Sequence, residues 1–288
     1  TIALYLRTFI TMAIGLYTGR ILLEALGIQN YGIQVVIGGI ISASGIITSS
    51  MNAACGRYIT YYLGLGDLEK SREVFCTCVN AQIIMAIIAA IILETLGLWF
   101  LNTTANIPPD RLDAANWIFH CSIIALVFGI ISVPYSSEII AHEHMKIYAY
   151  MSIIDVSLKL MNCFLIKNYD GDRLILFSIL TVVQACLLRI FYGWYCTKKF
   201  PDVRYRFHIN WKLLKEMASY SGWNLVSHTA TMLNMQGVNM LINVYFGVAF
   251  NSARGIALTA TSCVQKFVND FSVAFNPQIT KSYASHEY

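Results

Sequence analysis

Seven cations stand within or at the edges of long apolar stretches: Arg7, Arg20, Arg57, Lys159, Arg189, Arg254 and Lys266. A charge in hydrocarbon is expensive and is kept where it faces a cavity or a partner. Three of the seven have an acid at i,i+4, in the pairs Arg20 with Glu24, Asp155 with Lys159 and Lys266 with Asp270. That spacing sets both charges on one helix face, where local neutralisation accounts for them. Arg7, Arg57, Arg189 and Arg254 have no such neighbour, so each either snorkels to headgroups or points at an anion. Arg189, about two turns from a helix end, reads as a snorkelling residue. Arg57, beside Tyr58, Tyr61 and Tyr62, reads equally as an interfacial anchor or a cavity residue. A cavity lined by guanidinium groups suits a diphosphate, because the planar fork matches phosphate oxygens.

Among the acids, Glu94 and Glu138 lack a partner at helical spacing. Together with Asp155 they are the candidates for binding a coupling cation or proton; hydration near a helix end is the competing reading for the first two. Two other patterns promise less. Asp170-Gly171-Asp172 matches the D-x-D of many sugar transferases, but it sits in a short turn where Asp and Gly are expected anyway. His142-Glu143-His144 departs from H-E-x-x-H, since histidines two apart cannot share a helix face. No catalytic set, metal site or cofactor is expected, and no nucleic-acid partner.

The elements that must hold these residues are membrane helices. The chain is 57% hydrophobic and 12% charged, against about 45–50% and about 25% in soluble domains. Its mean hydropathy is +0.57. At about 20 residues per crossing, the 288 residues accommodate eight helices, expected near 2–24, 32–62, 74–101, 114–140, 147–167, 174–197, 217–246 and 250–275. Gly and Pro cluster in the joins between them, with a turn expected near Gly247. The cysteines fall mostly inside apolar runs and read as unbridged small hydrophobes. Gly15, Gly19, Gly38, Gly39 and Gly45 read first as sites of close helix approach, with a hinge as the alternative. Cationic residues set the orientation. With the N-terminus inside, the cytoplasmic joins carry Lys70, Arg72, Lys146, Lys198, Lys199, Arg204, Arg206, Lys212, Lys215 and Lys281, whereas the outer joins carry Arg111, Lys167 and Arg173. The hydrophilic segment 201–216 divides a first lobe (1–200) from the remainder (217–288). Its His208–Met217 portion is either an amphipathic interfacial helix or a plain linker.

The opening hairpin returns 220 residues later. That offset sets Leu26-Gly27 on Phe246-Gly247, Ala54 on Ala274 and Ile59-Thr60 on Ile279-Thr280, while Arg57 falls on Pro277. The blocks ArgIleLeuLeuGluAlaLeuGlyIleGlnAsnTyrGly (20–32), ProTyrSerSerGluIleIleAlaHisGlu (134–143), AsnSerAlaArgGlyIleAla (251–257) and AsnProGlnIleThrLysSerTyrAla (276–284), with AlaAlaAsnTrp (114–117) and GlyTrpAsnLeu (222–225), resemble the polysaccharide, or O-antigen, flippases of the multidrug/oligosaccharidyl-lipid/polysaccharide (MOP) exporter superfamily. The resemblance implies an all-α polytopic, MATE-like fold of two pseudo-symmetric six-helix lobes around an alternately opening cavity. This chain would supply the first lobe and the first two helices of the second, and so reads as a fragment. It further implies a non-enzymatic transporter of the bacterial inner membrane, N-terminus cytoplasmic, that moves polyprenyl-diphosphate-linked oligosaccharide. Membrane lipids and glycan-assembly proteins such as a polysaccharide polymerase are its expected partners. Arg7, Arg20, Arg57 and Arg254 would form the diphosphate site. The alternatives are a cation-coupled multidrug exporter of the MATE branch, dependent on Glu94, Glu138 or Asp155, and a membrane-embedded glycosyl- or acyltransferase dependent on Asp170, Asp172 or His142.

Overall fold

The computed structural model describes residues 2–103, 107–200, 203 and 210–285; some side chains within the helices, including 2–5, 46–48 and 246–260, lie outside that description. The first helix, α1 (Ile2–Gly64), is broken at Gly27, whose φ of 76° and ψ of 166° only glycine adopts readily. Thr18 and Gln34 line one small cavity, although a straight helix would hold them about 24 Å apart. The chain therefore turns back on itself at Gly27, as its composition predicts. The turn is clamped from outside. Arg173 donates from Nη1 to the Ala25 carbonyl at 3.1 Å, and from Nε to the Tyr169 carbonyl at 3.0 Å. Asp172 accepts from the Leu174 and Ile175 amides as N-cap of the sixth helix and pairs with Arg111 at 2.8 Å. The Asp-Gly-Asp segment thus has a structural occupation.

Next come α2 (Leu68–Ile92), a π-helical turn (Leu93–Gly97) and α3 (Leu98–Thr103), which run as one rod, then α4 (Leu112–Ala141), α5 (Met145–Lys167), α6 (Arg173–Lys199) and α7 (Trp211–Ser285). Two helices begin earlier than their apolar patterns suggest, in each case because a polar side chain caps them. The Asp67 carboxylate accepts from the Lys70 amide at the start of α2. Asn210 accepts from the Lys212 and Leu213 amides at the start of α7 and is itself held by Glu73 at 2.9 Å. Leu213 and Met217 are buried, so the first turns of α7 pack onto the lobe. Helical assignment of α7 continues through Gly247. Yet Tyr220 and Thr280 line a common cavity, whereas sixty residues of straight helix would span about 90 Å. The chain reverses between them, repeating the α1 hairpin.

Apolar cores lie toward the two ends of the bundle. One joins both arms of α1 to α4, α5 and α6 around Ile37, Ile118, Phe119 and Ile166. At the other end, Met51, Ala54 and Ile59 meet Leu213 and Met217, beside a cluster of Phe75, Tyr135, Ile139 and Phe200. Among the described residues five helical segments are long and apolar enough to cross a membrane, and large apolar side chains such as Ile28, Trp99, Trp117 and Trp194 face outward. The seven described cysteines are unbridged. The glycine expectation is corrected: no described atom lies within 4 Å of a Cβ placed on Gly15, Gly19, Gly38, Gly39 or Gly45. Close helix approach occurs instead at Gly64, where a Cβ would stand 2.8 Å from Lys281 Cα and 3.1 Å from Ala284 Cβ. Replacing Gly27 by Ala forces a glycine-only conformation on a Cβ and should cost about 1–3 kcal/mol, read as a lowered thermal midpoint in detergent; an unchanged midpoint would mean the turn tolerates a side chain.

Candidate functional site

Two chambers occupy the middle of the molecule, sharing Val133 and Ser136 on either side of Pro134 as common lining. Proline inside a helix removes one amide donor and crowds the preceding turn. The larger chamber, about 760 Å³, lies between the second arm of α1, α4 and the two ends of α7. Arg57 lines it, with its guanidinium 4.8 Å from the Tyr220 ring centroid. Asn52, Thr60, Tyr61, Ser137, Asn276, Thr280 and Tyr283 supply amide and hydroxyl groups. Among the described residues no carboxylate lines this chamber and none is paired with Arg57. Pro277, the residue on which Arg57 falls in the repeat, lines the same space.

The smaller chamber, about 570 Å³, lies inside the first lobe between α1, α4, α5 and α6. Arg7 reaches it from α1, 3.5 Å from Ser152 Oγ and 5.0 Å from the Tyr148 ring centroid. Asp155 is fully engaged: Lys159 donates to Oδ2 at 2.8 Å and Gln184 Nε2 to Oδ1 at 2.7 Å. Asn162 donates in turn to Gln184 Oε1 at 2.9 Å. Lys159, Thr181 and Gln184 also border a further cavity of about 270 Å³ that reaches Thr18 and Gln34.

The predicted arginines do not converge. Arg7 and Arg57 line separate chambers; Arg20 is exposed and pairs with Glu24 at 3.3 Å. The side chain of Arg254 lies outside the described residues, as do those of Lys266 and Asp270. Arg189 does not snorkel but turns inward, 4.0 Å from the Tyr135 ring centroid. Of the acids, Glu94 lies within the π-helical turn and meets His120 Nδ1 of α4 at 2.9 Å. Glu138 is wholly buried rather than hydrated, 3.6 Å from His142 Nε2. Both histidines of 142–144 pack against Phe200: His142 stacks on it at 4.0 Å, and His144 meets it edge-on at 5.3 Å with Nδ1 3.0 Å from the Tyr195 hydroxyl. Burial, with His142 and Lys199 nearby, holds the His144 imidazole below its ordinary pKa.

Between α4 and α5, Glu143 accepts from Lys281 Nζ at 2.9 Å and from Gln278 Nε2 at 3.3 Å. The Lys281 hydrogen bond holds the Glu143 carboxyl below the usual carboxylate range, against the upward push of partial burial and with further help from Gln278. A depressed native value means the link contributes fully above the unfolded carboxylate pKa and is lost as pH falls through the native one. Sequence spacing could not reveal this pair, because its members lie 138 residues apart.

No protein-family model and no curated protein matches the sequence. Solved structures do match. The Vibrio cholerae MATE transporter VcmN in its bent form superposes with a TM-score of 0.82 at 15% identity, covering 99% of this chain and 66% of that one. A MOP superfamily transporter from Pyrococcus furiosus gives a TM-score of 0.78 at 13% identity, over 99% of this chain and 64% of that one. An outward-facing multidrug resistance MATE family transporter of the MOP superfamily gives 0.78 at 11%, over 99% and 65%.

The fold is MATE-like. This chain spans about two thirds of the length of those MATE and MOP structures. The Asp155 network joins α5 to α6, while Arg57 lines the chamber between the second arm of α1, α4 and α7. Gln184 is the centre of that network and is only 6% exposed. Its replacement by Leu strands the Asn162 amide and Asp155 Oδ1, at about 1–3 kcal/mol for each buried group left unpaired. Thermal unfolding of the variant should begin well below the parent's, and coincident curves would remove the network from the stabilising contacts.

Proposed function

We propose that the protein is an alternating-access transporter for an anionic, lipid-linked glycan, working in a bacterial inner membrane with its N-terminus in the cytoplasm. The observation that carries this reading is Arg57: a guanidinium without a described carboxylate partner, in a chamber lined by hydroxyl and amide groups and bordered by both copies of the hairpin. A cation without a described carboxylate partner, in a chamber of about 760 Å³ lined by polar groups, attracts anions. A guanidinium suits the oxygens of a polyprenyl diphosphate, and the surrounding hydroxyls suit a sugar. The MATE-like fold supports transport over covalent chemistry, and Asp172 is taken up in capping α6 and pairing with Arg111. Membrane lipids and glycan-assembly proteins, including a polymerase, are the partners this reading requires.

A cation-coupled drug exporter is the second reading, and Asp155 is the observation behind it. The carboxylate borders a chamber of suitable size, but both its oxygens are occupied by groups of the protein. A coupling cation would have to displace Lys159.

Losing a charge-assisted hydrogen-bonding partner costs about 1.5–3 kcal/mol, or roughly ten- to a hundredfold. Arg57→Ala should therefore reduce surface glycan in intact cells by at least about tenfold at equal protein level, while Arg57→Lys, keeping the charge without the fork, should lie between. Normal glycan on cells carrying Arg57→Ala sinks the assignment. A loss of drug efflux in Asp155→Asn with glycan unaffected would favour the second reading.

A further inference from the structure

One end of the Arg57 chamber is marked by tight contacts. There Gly64, the last residue of α1, meets α7 at Lys281 and Ala284 so closely that a Cβ would not fit. Against the other side of the same stretch of α7, Glu143 engages Lys281 and Gln278. Thr280 and Tyr283, which flank Lys281, line the chamber itself. The first lobe and the repeated hairpin are thus tied by two contacts of different kinds, one electrostatic and one steric, at a single level. Glu143 is held for this by a backbone that costs something to maintain. Its φ of 60° is the one positive value at a non-glycine residue among those described, a conformation that L-residues seldom adopt. The turn is closed by hydrogen bonds from the Glu143 amide to the Ile140 carbonyl and from His144 to Ile139, each 2.9 Å.

We infer that Glu143, Lys281, Gln278 and the Gly64 contact form the gate that shuts the Arg57 chamber toward the basic end of the bundle. This rests on the transport reading only for its purpose, which is to admit a substrate headgroup from the cytoplasmic leaflet when the contacts part and to retain it when they close. The gate is weak by design of its chemistry. An ion pair whose partners are 26% and 37% exposed contributes little in water, so it biases the closed state without locking it. The glycine contact supplies the fit, because two helices can meet and part there without moving a side chain.

The gate is tested through accessibility of the chamber, whatever the substrate. Thr60→Cys places a thiol in the chamber lining, and its reaction with a membrane-impermeant maleimide is followed in inverted vesicles, with the parent chain's native thiols as the blank. Glu143→Lys and Lys281→Glu should each speed labelling, roughly two- to tenfold for exchanging an exposed attraction for a repulsion. The double reversal, Glu143→Lys with Lys281→Glu, should return the rate to that of the reporter alone. Gly64→Leu, which leaves every charge in place, should speed labelling independently by wedging the helices apart. In right-side-out vesicles none of the three single changes should speed it. Unchanged rates in the single reversals, a double reversal as fast as its singles, or a Gly64→Leu rate equal to the reporter's would each overturn the gate. The two proposals fail separately: normal export by Arg57→Ala removes the substrate reading, while the labelling rates, measured with Arg57 in place, still decide the gate.

Discussion

The structure depends on a helical hairpin that reverses at one residue. Gly27 provides the dihedral angles, but the reversal also strips the Ala25 carbonyl of its place in the helical ladder, and an unpaired backbone acceptor is costly where water is scarce. Arg173, 148 residues away, takes it. Its neighbour Asp172 caps α6 and holds Arg111, so the joins leading into α4 and α6 are assembled around the same turn. The turn of the hairpin and the joins into α4 and α6 are therefore held together at one point. Moving the second arm of α1, which carries Arg57, means moving against that clamp or pivoting on it.

Charge placement divides along the same line. Arg20, Lys159 and Asp155 find partners on their own helices, and their cost is met locally, as spacing foretells. Arg7, Arg57 and Arg189 lie over tyrosine rings instead. A ring face attracts a cation without neutralising it, so such a residue can be held in position and keep its charge for a ligand. This separates an arginine that only survives in the membrane from one that is stored there for use, and it singles out Arg57, whose ring comes from the other hairpin.

Much of this architecture was legible in the sequence. Apolar length gives the helices, Gly27 and the Asp-Gly-Asp turn give the joins, and the offset of 220 residues gives the second hairpin. What the sequence hides has a physical reason. A helix in lipid is apolar on both faces, so hydropathy carries little information about which way a residue points. Arg189 looks like a residue reaching for headgroups and turns inward. Glu138 looks hydrated and is buried beside His142. Gln184 and Asn162 carry no signal in the sequence and are the centre of a network. The glycines also mislead, because crowding is a property of two helices: Gly64, pressed against the backbone of α7, falls in what reads as a loop.

The imperfect repeat is where these strands meet. Duplicated hairpins would by symmetry bring like to like across their seam, and two arginines facing one chamber would repel each other or need acids between them. Placing Pro277 opposite Arg57 avoids that repulsion and leaves Arg57 in a space whose described lining holds no acid. The partner helix that gave up a charge there bears Lys281 one turn further on, where it meets Glu143. One copy of the hairpin thus supplies the charge a ligand would meet, and the other supplies the charge that closes the space behind it. Asymmetry of this kind lets binding and closure be adjusted separately, since substitutions at Arg57 and Lys281 act on different sides of the chamber.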